Sequence, residues 1–178
     1  MNNLITFPDS TEYPSYAEMY MNYVKRDGTL IRQFEDNLES TKKFISELRK
    51  ESLDVKYRPD KWTLKEVLVH IIDDERIYAY RALCFARNDK TCFPGFEETE
   101  YAKHSDAHLR SLNSIIEEYV AVRKATITLF KGFSERALLR IGRANENNTS
   151  VRALGYHIVG HELHHIQIIR DRYLSQFT

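Results

Sequence analysis

Residues 63–72 read Thr63-Leu64-Lys65-Glu66-Val67-Leu68-Val69-His70-Ile71-Ile72. The first four form a capping box, a hydroxyl at the N-cap and, three residues on, a carboxylate that reaches back to the N-cap amide. The helix that starts there is apolar at Leu64, Val67, Leu68, Ile71 and Ile72, then at Tyr78, Leu83 and Phe85, which predicts a helix to about Arg87. One residue interrupts the apolar run. An imidazole is costly to bury without a partner, so His70 calls for one. A hydrogen bond within the core would serve, and so would a metal ion held by the neutral ring. Asp74 lies one turn further along the same face.

Outward from this helix the chain continues to read as helices. Residues 1–14 carry two prolines and form an irregular arm, and a short helix follows at 15–24 before Gly28. A first long helix spans about 29–51 on Leu30, Ile31, Phe34, Leu38, Phe44, Ile45 and Leu48. Residues 52–61, with Pro59, connect it to the capping box. Residues 88–104 hold Pro94 and Gly95, lack periodicity and read as a long loop. A third helix spans 105–133, with Ile115, Tyr119, Ile127 and Phe130 on its stripe. Residues 134–148 are irregular, with a short extended piece at 138–141. Asn147, Asn148, Thr149 and Ser150 offer N-caps for a fourth helix that runs to the C-terminus.

Four amphipathic helices without a strand ladder imply an all-α four-helix bundle. The stretch between the second and third helices, roughly 15–18 residues at about 3.3 Å each, can cross a bundle from end to end. This favours a long crossover between helices two and three over an up-down-up-down chain. The organisation expected is therefore an arm over 1–14 and one bundle domain over 15–178.

Composition narrows the function. The chain has 178 residues, 42% hydrophobic and 29% charged, with 26 basic residues against 26 acidic ones. This is globular composition, and the balanced charge without a basic block argues against nucleic-acid or membrane-surface partners. No apolar run reaches the length of a membrane span, and the start lacks a signal-peptide layout, so a cytoplasmic location is expected. Cys84 and Cys92 match no metal or redox spacing and read as free thiols.

The chemistry concentrates near the C-terminus, in YHIVGHELHHIQIIRDRY (156–173), which holds His157, His161, His164 and His165. His161 and His165, spaced i, i+4, stack on one helix face and can grip one ion. The letters His161-Glu162-Leu163-His164-His165 also satisfy the zinc-protease pattern H-E-x-x-H. That reading needs a third ligand downstream. Only thirteen residues follow His165, on the same helix, and Ile168 and Asp171 stand where the longer protease motif has glycine and histidine. No edge strand is expected before the helix to bind a peptide. A zinc-type site needs at least three protein ligands, and in a bundle the third comes from another helix. The candidate is His70.

Two stretches carry a family resemblance: YRPDKWTLKEVLVHIIDDERIYAYRALCFAR (57–87) and SVRALGYHIVGHELHHIQIIRDRYL (150–174). The pattern Lys-Trp-Thr-x-x-Glu-x-x-x-His followed by a C-terminal His-x-x-x-His resembles the DinB superfamily, the DinB/YfiT-like metalloenzymes, over nearly the whole chain past the arm. The resemblance implies a crossover bundle, metal ligands at His70, His161 and His165, a divalent ion that is nickel or zinc, and a homodimer. It also implies a metal-dependent hydrolase or a thiol-dependent S-transferase acting on a small molecule, with a low-molecular-weight thiol as a candidate partner. Its relatives include bacillithiol and mycothiol transferases and maleylpyruvate isomerase. The competing expectation is a non-catalytic metal-binding or dimerisation bundle whose site is structural or vestigial.

Other residues weigh less. His157, one turn before His161, is open as a fourth ligand, a hydrogen-bond partner behind the ligands, or pocket lining, and Tyr156 is expected to line the pocket. Asp74 or Glu75 could orient a ligand histidine or form surface ion pairs. Glu162 is expected to be structural or at a subunit contact. Trp62 reads as a core anchor, Arg76 and Arg81 as solvated or paired cations, and His104 and His108 as a solvated i, i+4 pair at the start of helix three.

Overall fold

The computed structural model describes residues 4–177. The first three residues of the arm, and Thr178, lie outside the described residues. Four long helices dominate: α1 (Leu30–Ser46), α2 (Leu64–Ala86), α3 (Leu112–Lys131) and α4 (Val151–Ile168). The capping box of α2 closes in both directions, with Glu66 N donating to Thr63 Oγ1 at 3.2 Å and Thr63 N donating to Glu66 Oε2 at 2.7 Å. Ser111 and Ser150 cap α3 and α4 through their hydroxyls alone, accepting from Ser114 N and Ala153 N.

Side-chain contacts fix the helix directions. Along α1 and α4, Leu30 faces Gly155, Asn37 bonds Glu162, and Phe44 lies under Arg170, so these helices run parallel. Along α2 and α3, Glu75 pairs with Arg123, Arg76 with Glu118, and Arg87 lies over Phe133, so these also run parallel. Between the pairs the order reverses. Phe34 meets Phe130 and Asn37 meets Tyr119; His70 meets His161 and Tyr78 meets His157. Two sequential helices, α2 and α3, therefore point the same way, and residues 87–111 must traverse the bundle to join them. This is the expected crossover.

The crossover is more structured than a loop. It holds a short strand β1 (Cys92–Phe93), a helical turn at Glu98–Lys103 and a 3₁₀ turn at Ala107–Leu109. β1 pairs in parallel with β2 (Ile141–Ala144), which pairs antiparallel with β3 (Asn147–Ser150). This sheet corrects two expectations: a strand ladder exists, and an edge strand does precede α4. The extended piece lies at 141–144, because residues 135–138 form a helical turn. Asn145 and Glu146, both with positive φ, make the tight turn between β2 and β3. Helix three starts at Leu112 rather than 105. Asp106 takes a left-handed conformation (φ 51°) and breaks the chain there, so exposed His104 and His108 share no helix.

The described part of the arm packs on the bundle through an isolated β-bridge of Ile5 with Thr29 and a 3₁₀ turn at Ser10–Glu12. Ile5 and Tyr13 are buried, and Arg152 pairs with Glu12. The short helix after it, Glu18–Met21, lies against α4. It does so at Gly160, where a Cβ would sit 2.2 Å from the Tyr20 carbonyl oxygen; only glycine permits this approach.

Candidate metal centre

His70 on α2 and His161 and His165 on α4 converge. His161 Nε2 lies 3.0 Å from His70 Nε2 and 3.1 Å from His165 Nε2, and one ligand atom from each ring falls within 4.8 Å of the others. His70 and His161 are buried, and His165 is half-buried. Burial holds all three rings below the ordinary histidine value; for His161 and His165 the neighbouring histidines lower it further. The rings are therefore neutral near pH 7 and offer lone pairs.

A neutral imidazole carries one proton for its two nitrogens. His161 Nε2 thus has one lone pair, or one proton, to share between two neighbours. A divalent ion at the centre would use all three lone pairs at once. Metal–nitrogen bonds of about 2.0–2.1 Å in tetrahedral or octahedral geometry set neighbouring nitrogens about 2.8–3.4 Å apart, which matches both separations from His161 Nε2. Asp74 supports this arrangement from behind. Its Oδ2 lies 3.4 Å from His161 Nδ1, where a carboxylate favours the tautomer whose Nε2 lone pair faces the cluster. The donor set fits a divalent transition ion.

Beside the cluster, a cavity of about 270 Å³ is lined by His165, Trp62, Val67, Ile168 and Tyr173, with Lys61 and Thr99 also in its wall. The Trp62 ring sits 4.8 Å from the His70 ring, and Tyr173 donates to the Trp62 carbonyl at 2.7 Å. Trp62 is thus half-buried cavity wall as well as an anchor. α4 passes into one π turn at Ile169–Tyr173, one helical turn past His165, an irregularity frequent at functional sites.

The remaining candidates separate. His157 stays outside the cluster, stacked flat on Tyr78 at 3.8 Å with its Nε2 3.4 Å from Asp74 Oδ2. His164 turns away toward Tyr20 and Tyr23. Tyr156 does not line the pocket: its buried hydroxyl donates to Ile5 O at 2.7 Å, on the side of the arm. Glu162, the base of the protease letters, faces away from the cluster. It accepts from Tyr119 Oη at 2.5 Å and lies 2.8 Å from Arg123 Nη2. Glu75 is not a surface residue; it receives three hydrogen bonds from Arg123.

Arg123 is fully buried and was not singled out from the sequence. A signal was there: Ile115, Tyr119, Arg123 and Ile127 follow one another at i+4, so the arginine falls on the apolar stripe of its helix. Despite desolvation, the Glu162 and Glu75 carboxylates hold its proton well above the ordinary range.

The sequence profile of the DinB superfamily matches residues 33–169. A protein of Geobacillus thermodenitrificans (strain NG80-2), named "Putative metal-dependent hydrolase", is 31% identical over 127 residues, covering 69% of this chain and 68% of that one. Among solved structures, YfiT from Bacillus subtilis superposes with a TM-score of 0.71 over 97% of this chain and 94% of its own. It is described as "a probable metal-dependent hydrolase with an unusual four-helix bundle topology". At 13% identity that likeness speaks to the fold alone.

Proposed function

The chain belongs to the DinB superfamily, and on that premise we propose that it is a metal-dependent hydrolase of a small molecule, with one nickel or zinc ion on His70, His161 and His165. The observation that carries the reading is the convergence of three neutral imidazoles beside a cavity. The curated relative, named for metal-dependent hydrolysis, supports it.

When bound, the ion supplies Lewis acidity that polarises a carbonyl and lowers the pKa of a coordinated water. The protein's own groups do the rest. His70 and His161 come from antiparallel helices whose separation is fixed by core packing, so two corners of the site are preset. The Asp74 carboxylate faces the Nδ1 edge of His161 at 3.4 Å, where its charge favours the tautomer with the Nε2 lone pair toward the cluster. Trp62, Val67 and Ile168 exclude water from one wall and suit an apolar substrate portion, while Lys61 offers a cation to a polar one. Glu162 takes no part, because Tyr119 and Arg123 occupy its oxygens.

The test is metal content followed by turnover. Purified protein saturated with nickel or zinc should retain one ion per chain, and His70→Ala should retain none. The loaded protein should hydrolyse members of an ester and amide panel and leave added thiols intact. Consumption of a low-molecular-weight thiol together with an electrophile would move the reading to S-transfer. Absence of stoichiometric metal in the saturated wild type would overturn it.

A further inference from the structure

A second cavity, about 260 Å³, is lined by His161 together with Asp74, whose Oδ2 faces the ring's Nδ1. Its walls include Asp74, His157, Tyr20, Tyr78, Arg81 and Glu98. Asp74 is 2% exposed and His157 4%, yet Asp74 Oδ2 and His157 Nε2 both lack a hydrogen-bond partner. The two atoms sit 3.4 Å apart, as do Asp74 Oδ2 and His161 Nδ1, too far for either ring to satisfy the carboxylate. A buried carboxylate oxygen without a donor is costly, and this one borders a space large enough to hold a donor.

The charge around that space is uneven. Asp74 at the base and Glu98, solvent-exposed, face one cation, Arg81. Arg81 is already committed: its Nη2 donates to Pro94 O at 2.8 Å and its guanidinium lies 5.1 Å over the Tyr78 ring. Tyr20 and Tyr78 add aromatic rings, and burial followed by the nearby carboxylates pushes the Tyr20 hydroxyl up to about 12, so that ring stays neutral. Carboxylates set among aromatic rings are the chemistry that recognises an organic cation. A second metal ion fits less well, because among the described residues only His70, His161 and His165 gather as a ligand group.

We propose that this cavity binds the ammonium group of a small organic cation, with Asp74 and Glu98 as its counter-charges and the tyrosine rings as its walls. The site does not depend on an ion at the histidine cluster. Because Asp74 touches His161, a cation held there would also be linked to metal affinity.

Calorimetric titration with ethylammonium and tetramethylammonium, against sodium acetate as the control, tests the proposal. The protein as purified and the His70→Ala variant should both bind the ammonium probes saturably and ignore acetate. Glu98→Gln, at an exposed position where folding is not at stake, should weaken ethylammonium roughly tenfold or more. Tyr20→Phe should keep the affinity for tetramethylammonium, and Tyr20→Leu should lower it several-fold. No saturable binding by the wild type would overturn the site. So would affinity unchanged in Glu98→Gln, preference for acetate, or binding of divalent metal alone in His70→Ala. Survival of ammonium binding in His70→Ala separates this proposal from the metal reading, since either can fail without the other.

Discussion

Arg123 places one guanidinium between two carboxylates, Glu75 from α2 and Glu162 from α4, at full burial. The two links join the helices that carry the metal histidines, and the asymmetry of charge decides what substitution does. Glu162→Gln leaves a neutral Glu75–Arg123 pair and an amide oxygen for Tyr119, so it should cost about 1.5–3 kcal/mol. Arg123→Met strands two buried carboxylates and should cost at least about 3–5 kcal/mol. Urea denaturation of both variants checks the order, and a larger loss for Glu162→Gln would refute the account. If Glu162 were instead a catalytic base, its substitution would abolish turnover with little effect on stability. Asp74→Asn, behind His161, should weaken metal about 10–100-fold while the fold persists, as competition with a chromophoric chelator would show. Part of this scale is legible in sequence. His70 betrays itself by interrupting an apolar run, and His161 and His165 by their spacing. Tyr156 misleads because adjacency to His157 says nothing about which way a helical side chain points; successive residues diverge by about 100°. Trp62, just ahead of the N-cap of α2, reads only as an anchor until the fold sets its ring against His70, and the position of Arg123 on an apolar stripe gains its meaning only when Glu75 and Glu162 are placed beside it.

The elements were legible in proportion to their length. α2 announces itself through a capping box and six turns of periodicity, and the four bundle helices emerge with it. The strands do not. β1 has two residues, and β2 and β3 four each, with Gly142 and two asparagines among them, so no alternation can develop. The tight turn at Asn145 and Glu146 that pairs β2 with β3, and the distant pairing of β1 with β2, make these segments extended rather than propensity. The N-terminal segment is tied down at two places that can be tested separately. At Gly160, alanine would press its methyl on the Tyr20 carbonyl and push the Glu18–Met21 helix off α4. Thermal or urea unfolding should show a loss of about 1–3 kcal/mol, and the Tyr20 contacts with His157 and His161 should loosen. At Glu12, hydrogen bonds from Arg152 hold the carboxyl near 2, against an ordinary value of 4.5. A carboxyl depressed by folding stabilises above its unfolded value, and that stability fades as pH falls through the folded one. Wild type should therefore exceed Glu12→Gln in stability at pH 6, and the gap should close between about pH 4.5 and 2 in parallel acid-unfolding curves. A constant gap across that range would exclude the ion pair as its source.

At the scale of the whole molecule, topology and metal site depend on one another. α2 and α4 lie antiparallel, yet 64 residues separate the end of one from the start of the other. Their contact is long-range, and long-range contacts carry the entropy of closing the chain between them. The crossover at 87–111, α3 and the hairpin of β2 and β3 fill that interval, and none of them holds α2 to α4 by chain connection alone. Core packing does, helped by the Arg123 network, and so should an ion shared by His70, His161 and His165. Because the unfolded chain does not hold these three rings together, any ion they bind stabilises the native state by mass action. At free metal about a hundredfold above the dissociation constant the gain is about 2.7 kcal/mol, which for a chain of this size corresponds to roughly 5–11 °C in melting temperature. The wild type should show this rise on adding zinc or nickel and lose it on adding chelator, with a midpoint that keeps climbing as metal is raised. His70→Ala should melt at one temperature throughout. Equal shifts in wild type and His70→Ala would mean that the metal acts at the surface, and the two helices would then owe their pairing to packing alone.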